Sequence, residues 1–128
     1  MIAVDTNVVV RLLTADDTRQ TERARLLFDT ETIFLAKTVL LEAAWVLRNL
    51  YRLTPSPVID VFEGLMGLQN VRCEDEAAVR EALDMARQGM DIADAFHLAS
   101  SRAASRFATF DQRMIQIADK IGRPVAEP

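Results

Sequence analysis

The sequence predicts an α/β fold, a sandwich of helices on a mostly parallel sheet of about five strands. Three observations carry that expectation. Short apolar, β-branched runs alternate with stretches of helical periodicity along the chain. Pro55 and Pro57 separate two helical stretches, and Gly89 ends another. At 128 residues, half of them apolar, the chain is long enough to bury a core without metal or disulfide staples and fits one domain, residues 1–128.

The elements follow in order. MIAVDTN opens as a strand that ends in Asp5 and leads into a helix start. VVVRLLTADDTRQTERARLLFD reads as two helical pieces broken near Thr14 to Asp17, with Leu13, Ala24, Leu27 and Phe28 facing the core. TIFLAKT is a short strand, and Thr38 is expected to cap a long helix reaching about Leu53. Thr54-Pro55-Ser56-Pro57 ends that helix and starts another, from Val58 to about Leu68. Val71 to Cys73 is a strand. Glu74 or Asp75 caps a helix over 76–88 that Gly89 ends, where a left-handed residue is commonly needed. A helix from Asp91 to about Ser105, the strand RFATF, a helix from Asp111 to Ile121 and a short strand from Pro124 to Ala126 complete the chain.

Composition excludes several kinds of chemistry. Cys73 is the single cysteine and His97 the single histidine, so an internal disulfide, a cysteine-based zinc site and a multi-histidine metal site are ruled out. Cys73 reads as a small hydrophobe and His97 as a packing or surface residue. The four glycines form no phosphate-cradling loop. No apolar run is long enough to span a bilayer, and no basic, apolar leader opens the chain, so a cytoplasmic protein is expected. A net charge of −4 argues against an autonomous nucleic-acid binder. Divalent metal held by the protein would reverse that sign locally. The basic residues are almost all arginines, which grip phosphate bidentately, although a solvated surface explains most of them.

The acids are more informative. Asp5 follows the first strand, Glu42 lies within the helix after the second, Asp91 and Asp94 open a late helix, and Asp111 follows RFATF. All map to loops or early helical turns, where ligands gather at the C-terminal ends of parallel strands. Each has a plain structural reading. Asp5 and Asp111 suit helix N-caps, and Asp91 with Asp94 suits a capping box. Glu42 fits such a reading least, because it sits within VLLEAAWVL with Val39, Leu41, Trp45 and Val46 around it. A carboxylate buried there needs a cation, and Arg11, Arg48 and Lys37 are the nearest by sequence. One divalent-metal site accounts for all these acids together. Clustered carboxylates repel unless a cation lies among them, and oxygen-only ligands suit Mg²⁺ or Mn²⁺. With enough acids for two ions about 4 Å apart, phosphodiester hydrolysis is the matching chemistry.

Asp5-Thr6-Asn7 after a first strand, a Glu near position forty in an apolar helix, Asp91-Ile92-Ala93-Asp94-Ala95, and Ala108-Thr109-Phe110-Asp111 after a late strand together resemble the PIN-domain ribonucleases. Within them the resemblance is to the VapC toxins of bacterial toxin-antitoxin pairs, and it covers essentially the whole chain. It implies a three-layer α/β/α sandwich, an Mg²⁺- or Mn²⁺-dependent endoribonuclease, a homodimer, and inhibition by a partner antitoxin. Asp5, Glu42 and Asp94 are then the core metal-binding acids, Asp111 the fourth, and Asp91 an auxiliary acid or helix cap. Thr6, Asn7 and Thr109 orient the carboxylates by hydrogen bonds.

Other readings fit less well. A haloacid-dehalogenase-like phosphatase wants an acid where Asn7 stands, and a response-regulator receiver wants an acidic pair and lysine that are missing. A 5′-flap nuclease shares the chemistry, but the chain looks short for its DNA-gripping additions. A catalytically inactive binding module would be signalled by loss of a core acid. The apolar residues Val58, Ile59, Val61, Phe62, Leu65 and Met66 suggest dimer or antitoxin surfaces, with core burial as the alternative.

Overall fold

The computed structural model describes all of residues 1–128. Seven helices alternate with five short strands, every strand pairing is parallel, and the α/β class expected from the sequence is the class observed. The strands join as a group of three and a group of two. The chain correspondingly divides into two compact units, Met1–Glu76 and Ala77–Pro128.

In Met1–Glu76, β1 (Ile2–Ala3), β2 (Ile33–Leu35) and β3 (Val71–Cys73) form a sheet in that order, with Ile2 opposite Ile33 and Ile33 opposite Val71. Parallel neighbours need a crossover between them. α1 (Thr6–Leu13) and α2 (Thr18–Thr30) supply the first, and α3 (Lys37–Asn49) and α4 (Pro55–Met66) the second. β2 lies between the other two and buries Ile33 and Leu35 completely. α1 packs on α2 and α3, and α4 on α3 and β3. Ala24 and Phe28 are buried as expected, while Leu13 and Leu27 are only half-buried.

The start of α3 differs from the expectation. Thr38 lies inside the helix, and Ala36 at the cap position offers no side-chain acceptor. The bond comes instead from the end of β3, where Glu74 Oε1 accepts from the Lys37 amide at 2.8 Å. Lys37 Nζ also reaches Asp75 Oδ2 at 3.2 Å. Asp75 bends the chain in the left-handed region, φ 49°, which Asp tolerates better than most residues. The chain therefore uses its acids after β3 to cap the helix that follows β2, something no local pattern reveals.

α4 also corrects an expectation. Val58, Ile59, Phe62, Leu65 and Met66 are buried and Val61 is half-buried, so this apolar row is core and not a free partner surface. Pro55 and Pro57 fit at the start because the first helical amides have no intrahelical acceptor to lose.

In Ala77–Pro128, β4 (Phe107–Ala108) pairs with β5 (Val125–Ala126), and α7 (Gln112–Lys120) packs against β5. α5 (Glu76–Arg87), which begins at the division, ends in a Schellman turn. The Met90 amide donates to the Met85 carbonyl at 3.2 Å, the Gly89 amide to Ala86 at 3.0 Å, and Gly89 has φ 108°. Met85 and Met90, at the two positions where an apolar pair usually accompanies this turn, are both buried. Asp91 follows at once as the N-cap of α6 (Ile92–Ala99). α6 stops well short of Ser105. The Ser101 hydroxyl donates to the His97 carbonyl at 2.7 Å, and residues 100–105 turn irregularly before β4. No helix is long and apolar enough to cross a membrane.

Two substitutions separate core from cap. Phe62→Ala is expected to lower unfolding free energy by about 3–5 kcal/mol, the usual cost of emptying a fully buried aromatic site. Glu74→Ala should cost only about 1 kcal/mol, the scale of a lost helix cap. Urea titration of both variants checks the contrast, and a near-neutral Phe62→Ala would return α4 to the surface.

Candidate active site

Asp5 and Glu42 belong to Met1–Glu76. Asp5 leaves β1 and caps α1, its Oδ1 accepting from the Thr6 amide at 2.7 Å. It is exposed, so its other carboxylate oxygen is open to solvent. Thr6 therefore acts on Asp5 through its backbone, with a buried side chain, and not through the hydroxyl. Asn7 is exposed on a groove between α1 and α2 that it shares with Val8, Arg11, Gln20, Arg23, Ala24 and Leu27.

Glu42 is exposed, which removes the difficulty that its apolar surroundings raise. α3 buries Leu40, Ala43, Ala44 and Leu47; Glu42 lies with the exposed Trp45 on another face. An ionised carboxylate there keeps its water and needs no neutralising partner. The three cations nearest in sequence are engaged elsewhere. Arg11 Nε donates to Gln20 Oε1 at 2.7 Å, Arg48 Nη1 to the Leu53 carbonyl at 2.6 Å, and Lys37 to Asp75.

Asp91, Asp94 and Asp111 belong to Ala77–Pro128. Asp91 Oδ1 accepts from the Asp94 amide at 3.1 Å. This is half of a capping box; the Asp94 carboxyl takes no part in it. Asp111 caps α7 in the same manner, Oδ1 accepting from the Met114 amide at 3.1 Å. Thr109 Oγ1 accepts from the Asp111 amide at 3.1 Å, so Thr109 shapes the turn that carries Asp111 and makes no bond to its carboxylate.

Asp94 is half-buried, and its carboxyl is pushed above the ordinary carboxylate range. Burial is the largest cause, followed by the charges of Asp91 and then Asp111, while the exposed His97 pulls in the opposite direction. Three acids are thus close enough to feel one another, and one of them is short of compensating positive charge. No three Asp, Glu, His or Cys side chains stand close enough to enclose a metal ion by themselves. The donor chemistry nevertheless fits Mg²⁺ or Mn²⁺, which retain several waters and take only one or two carboxylates. The same ion would relieve the repulsion on Asp94.

Fold and acids together define an α/β protein with carboxylates set at the starts of helices that follow parallel strands. The PIN domain family pattern matches residues 2–120, and the chain belongs to that family. No curated protein matches the sequence significantly. PIN domains are a nuclease fold, typically dependent on divalent metal, and members generally bind nucleic acids.

The raised Asp94 carboxyl has a consequence for stability. Between its unfolded value near 3.8 and its higher folded value, the folded state binds more protons. Stability therefore falls as pH rises through that window, and the full penalty holds above it. Asp94→Asn should be more stable than the native chain at neutral pH in EDTA, with the gain vanishing on acidification below the unfolded value. Saturating Mg²⁺ should raise the melting temperature of the native chain and close part of the gap. Thermal melts across pH, with and without Mg²⁺, read both effects.

Proposed function

We propose that this PIN domain is a divalent-metal-dependent endoribonuclease and acts as the toxin of a toxin-antitoxin pair, cutting structured RNA such as tRNA or rRNA. The observation that carries the nuclease part is Asp94, a carboxyl at a helix start raised by burial and by two neighbouring acids, in a chain of a typically metal-dependent nuclease family. The toxin role, RNA as substrate, an antitoxin partner, homodimerisation and a cytoplasmic setting rest on the resemblance to VapC toxins.

In this reading residues 1–128 work as one nuclease domain, and Asp5, Glu42, Asp94 and Asp111 hold Mg²⁺ or Mn²⁺. When bound, the ion supplies positive charge to the phosphoryl oxygens and makes a water more acidic near neutral pH. The chain's own groups keep the carboxylates in place. The Thr6, Asp94 and Met114 amides each hold one oxygen of Asp5, Asp91 and Asp111, leaving the second oxygen of each for other work. The helix N-termini behind these residues favour a carboxylate at that position. Asp91 serves as the cap that holds the Asp94 amide, and Asn7 shares the α1–α2 groove with Arg11 and Arg23. In-line attack by water on phosphorus leaves a 5′-phosphate and a 3′-hydroxyl.

Purified protein incubated with total RNA in Mg²⁺ or Mn²⁺ should yield discrete new ends that carry 5′-phosphate. EDTA should abolish them, and Asp94→Asn should lower cutting by about a hundredfold or more, the scale of losing a group that acts in the transition state. Cyclic 2′,3′-phosphate ends would point to attack by the RNA's own 2′-hydroxyl and refute the water mechanism. Absence of both cutting and divalent-metal binding would overturn the enzyme reading in favour of a binding module.

A further inference from the structure

A second concentration of charge lies in Ala77–Pro128, at the N-terminal end of β4, whereas Thr109 and Asp111 follow its C-terminal end. A cavity of about 300 Å³ is lined there by Arg102, Arg106 and Arg123 over an apolar floor that includes Leu98, Phe107 and Pro124. No acidic side chain lines it. Glu81 of α5 stands behind two of the arginines. Its Oε2 accepts from Arg102 Nε at 2.7 Å and also from Nη2, while its Oε1 pairs with Arg123 Nη1. One carboxylate thus fixes two guanidinium groups, which would otherwise repel and swing apart.

Arg106 is different. It is exposed and bonds to no group in the chain. Three guanidinium groups against one carboxylate leave two positive charges, in a protein whose net charge is −4. Self-repulsion among arginines is a cost unless an anion is there to be held. A guanidinium fork matches phosphate oxygens bidentately, and arginines held in advance lose less freedom on binding.

We propose that this cavity binds a phosphate group of an RNA strand, with Arg106 as the direct ligand and Glu81 as the positioning residue for Arg102 and Arg123. Naming RNA as the source of the phosphate rests on the ribonuclease reading; the anion site itself does not. The contact anchors the strand at a place other than the cluster of Asp91, Asp94 and Asp111, so it should govern substrate affinity more than the rate of cutting.

The test compares native protein, Arg106→Gln and the control Arg25→Gln, which removes an exposed arginine from α2. Binding to a labelled single-stranded RNA is followed by anisotropy in EDTA over a range of salt, and inorganic phosphate binding by calorimetric titration. Arg106→Gln should weaken RNA binding by about tenfold, as expected for a charge-assisted bond. It should also reduce the salt slope by about 0.7, the value for one phosphate contact on a single strand. Arg25→Gln should do neither. Because Arg106 is exposed and unpaired, unchanged thermal melts should show that the variant folds.

Phosphate binding lost in Arg106→Gln with RNA binding untouched would overturn the strand and leave a site for free phosphate. RNA and phosphate binding both untouched would overturn the site altogether. Failure of the ribonuclease reading shows separately, as absence of metal-dependent cutting, and the phosphate titration still decides whether the cavity holds an anion.

Discussion

Parallel strand pairing is the constraint from which the arrangement of this molecule follows. In the sheet β1-β2-β3 all C-terminal ends lie on one edge, and the chain leaves that edge into helices after β1 and β2. β4 and β5 are likewise parallel, and α7 starts after β4. A helix start carries four amides without intrahelical acceptors, and a short polar side chain just before it is the cheapest local remedy. Asp5 and Asp111 are placed by that requirement, and Asp91 meets the same requirement after the Gly89 turn. The fold therefore draws carboxylates to its strand exits before any chemistry is asked of them.

Capping occupies only part of each of these groups. A cap uses one carboxylate oxygen and locks the side chain's direction. The other oxygen is then presented from a rigid helix start, which is what a metal-holding acid requires. Asp94 completes the arrangement in another way. It follows its cap by one helical turn, contributes its amide to Asp91, and keeps its carboxyl free in a half-buried position among like charges. Repulsion of this kind is a stability cost retained in the folded chain, and such costs tend to mark functional groups. The Glu81 bridge is its counterpart of opposite sign, one carboxylate holding two arginines beside a third that has no partner in the chain.

Several elements were legible because their signals are local. The strand Val71–Cys73, the break between α1 and α2 and the left-handed Gly89 follow from β-branched runs, turn residues and helix-stop chemistry within a few positions. The caps at Asp5, Asp91 and Asp111 were legible for the same reason. The end of α6 was not, since Ser100 to Ser105 is compatible with continuing the helix and the Ser101 bond to the His97 carbonyl competes only slightly. That missed boundary also hid the cavity, because Arg102 falls inside the expected helix and Arg106 at the start of the expected strand.

The sequence by itself determined the order and type of the elements and the family, because periodicity, capping and motif spacing act over a turn or two of chain. Tertiary structure alone decided which face of a helix is covered. VLLEAAWVL looks uniformly apolar, yet Leu40, Ala43, Ala44 and Leu47 meet the core while Glu42 and Trp45 meet water. The row from Val58 to Met66 looks like a free surface and is core. Likewise the cap of α3 comes from Glu74, 37 residues away, and Arg102 and Arg123 share a carboxylate on α5. Burial and long-range pairing depend on what packs against a residue, and that partner is absent from its neighbourhood in sequence.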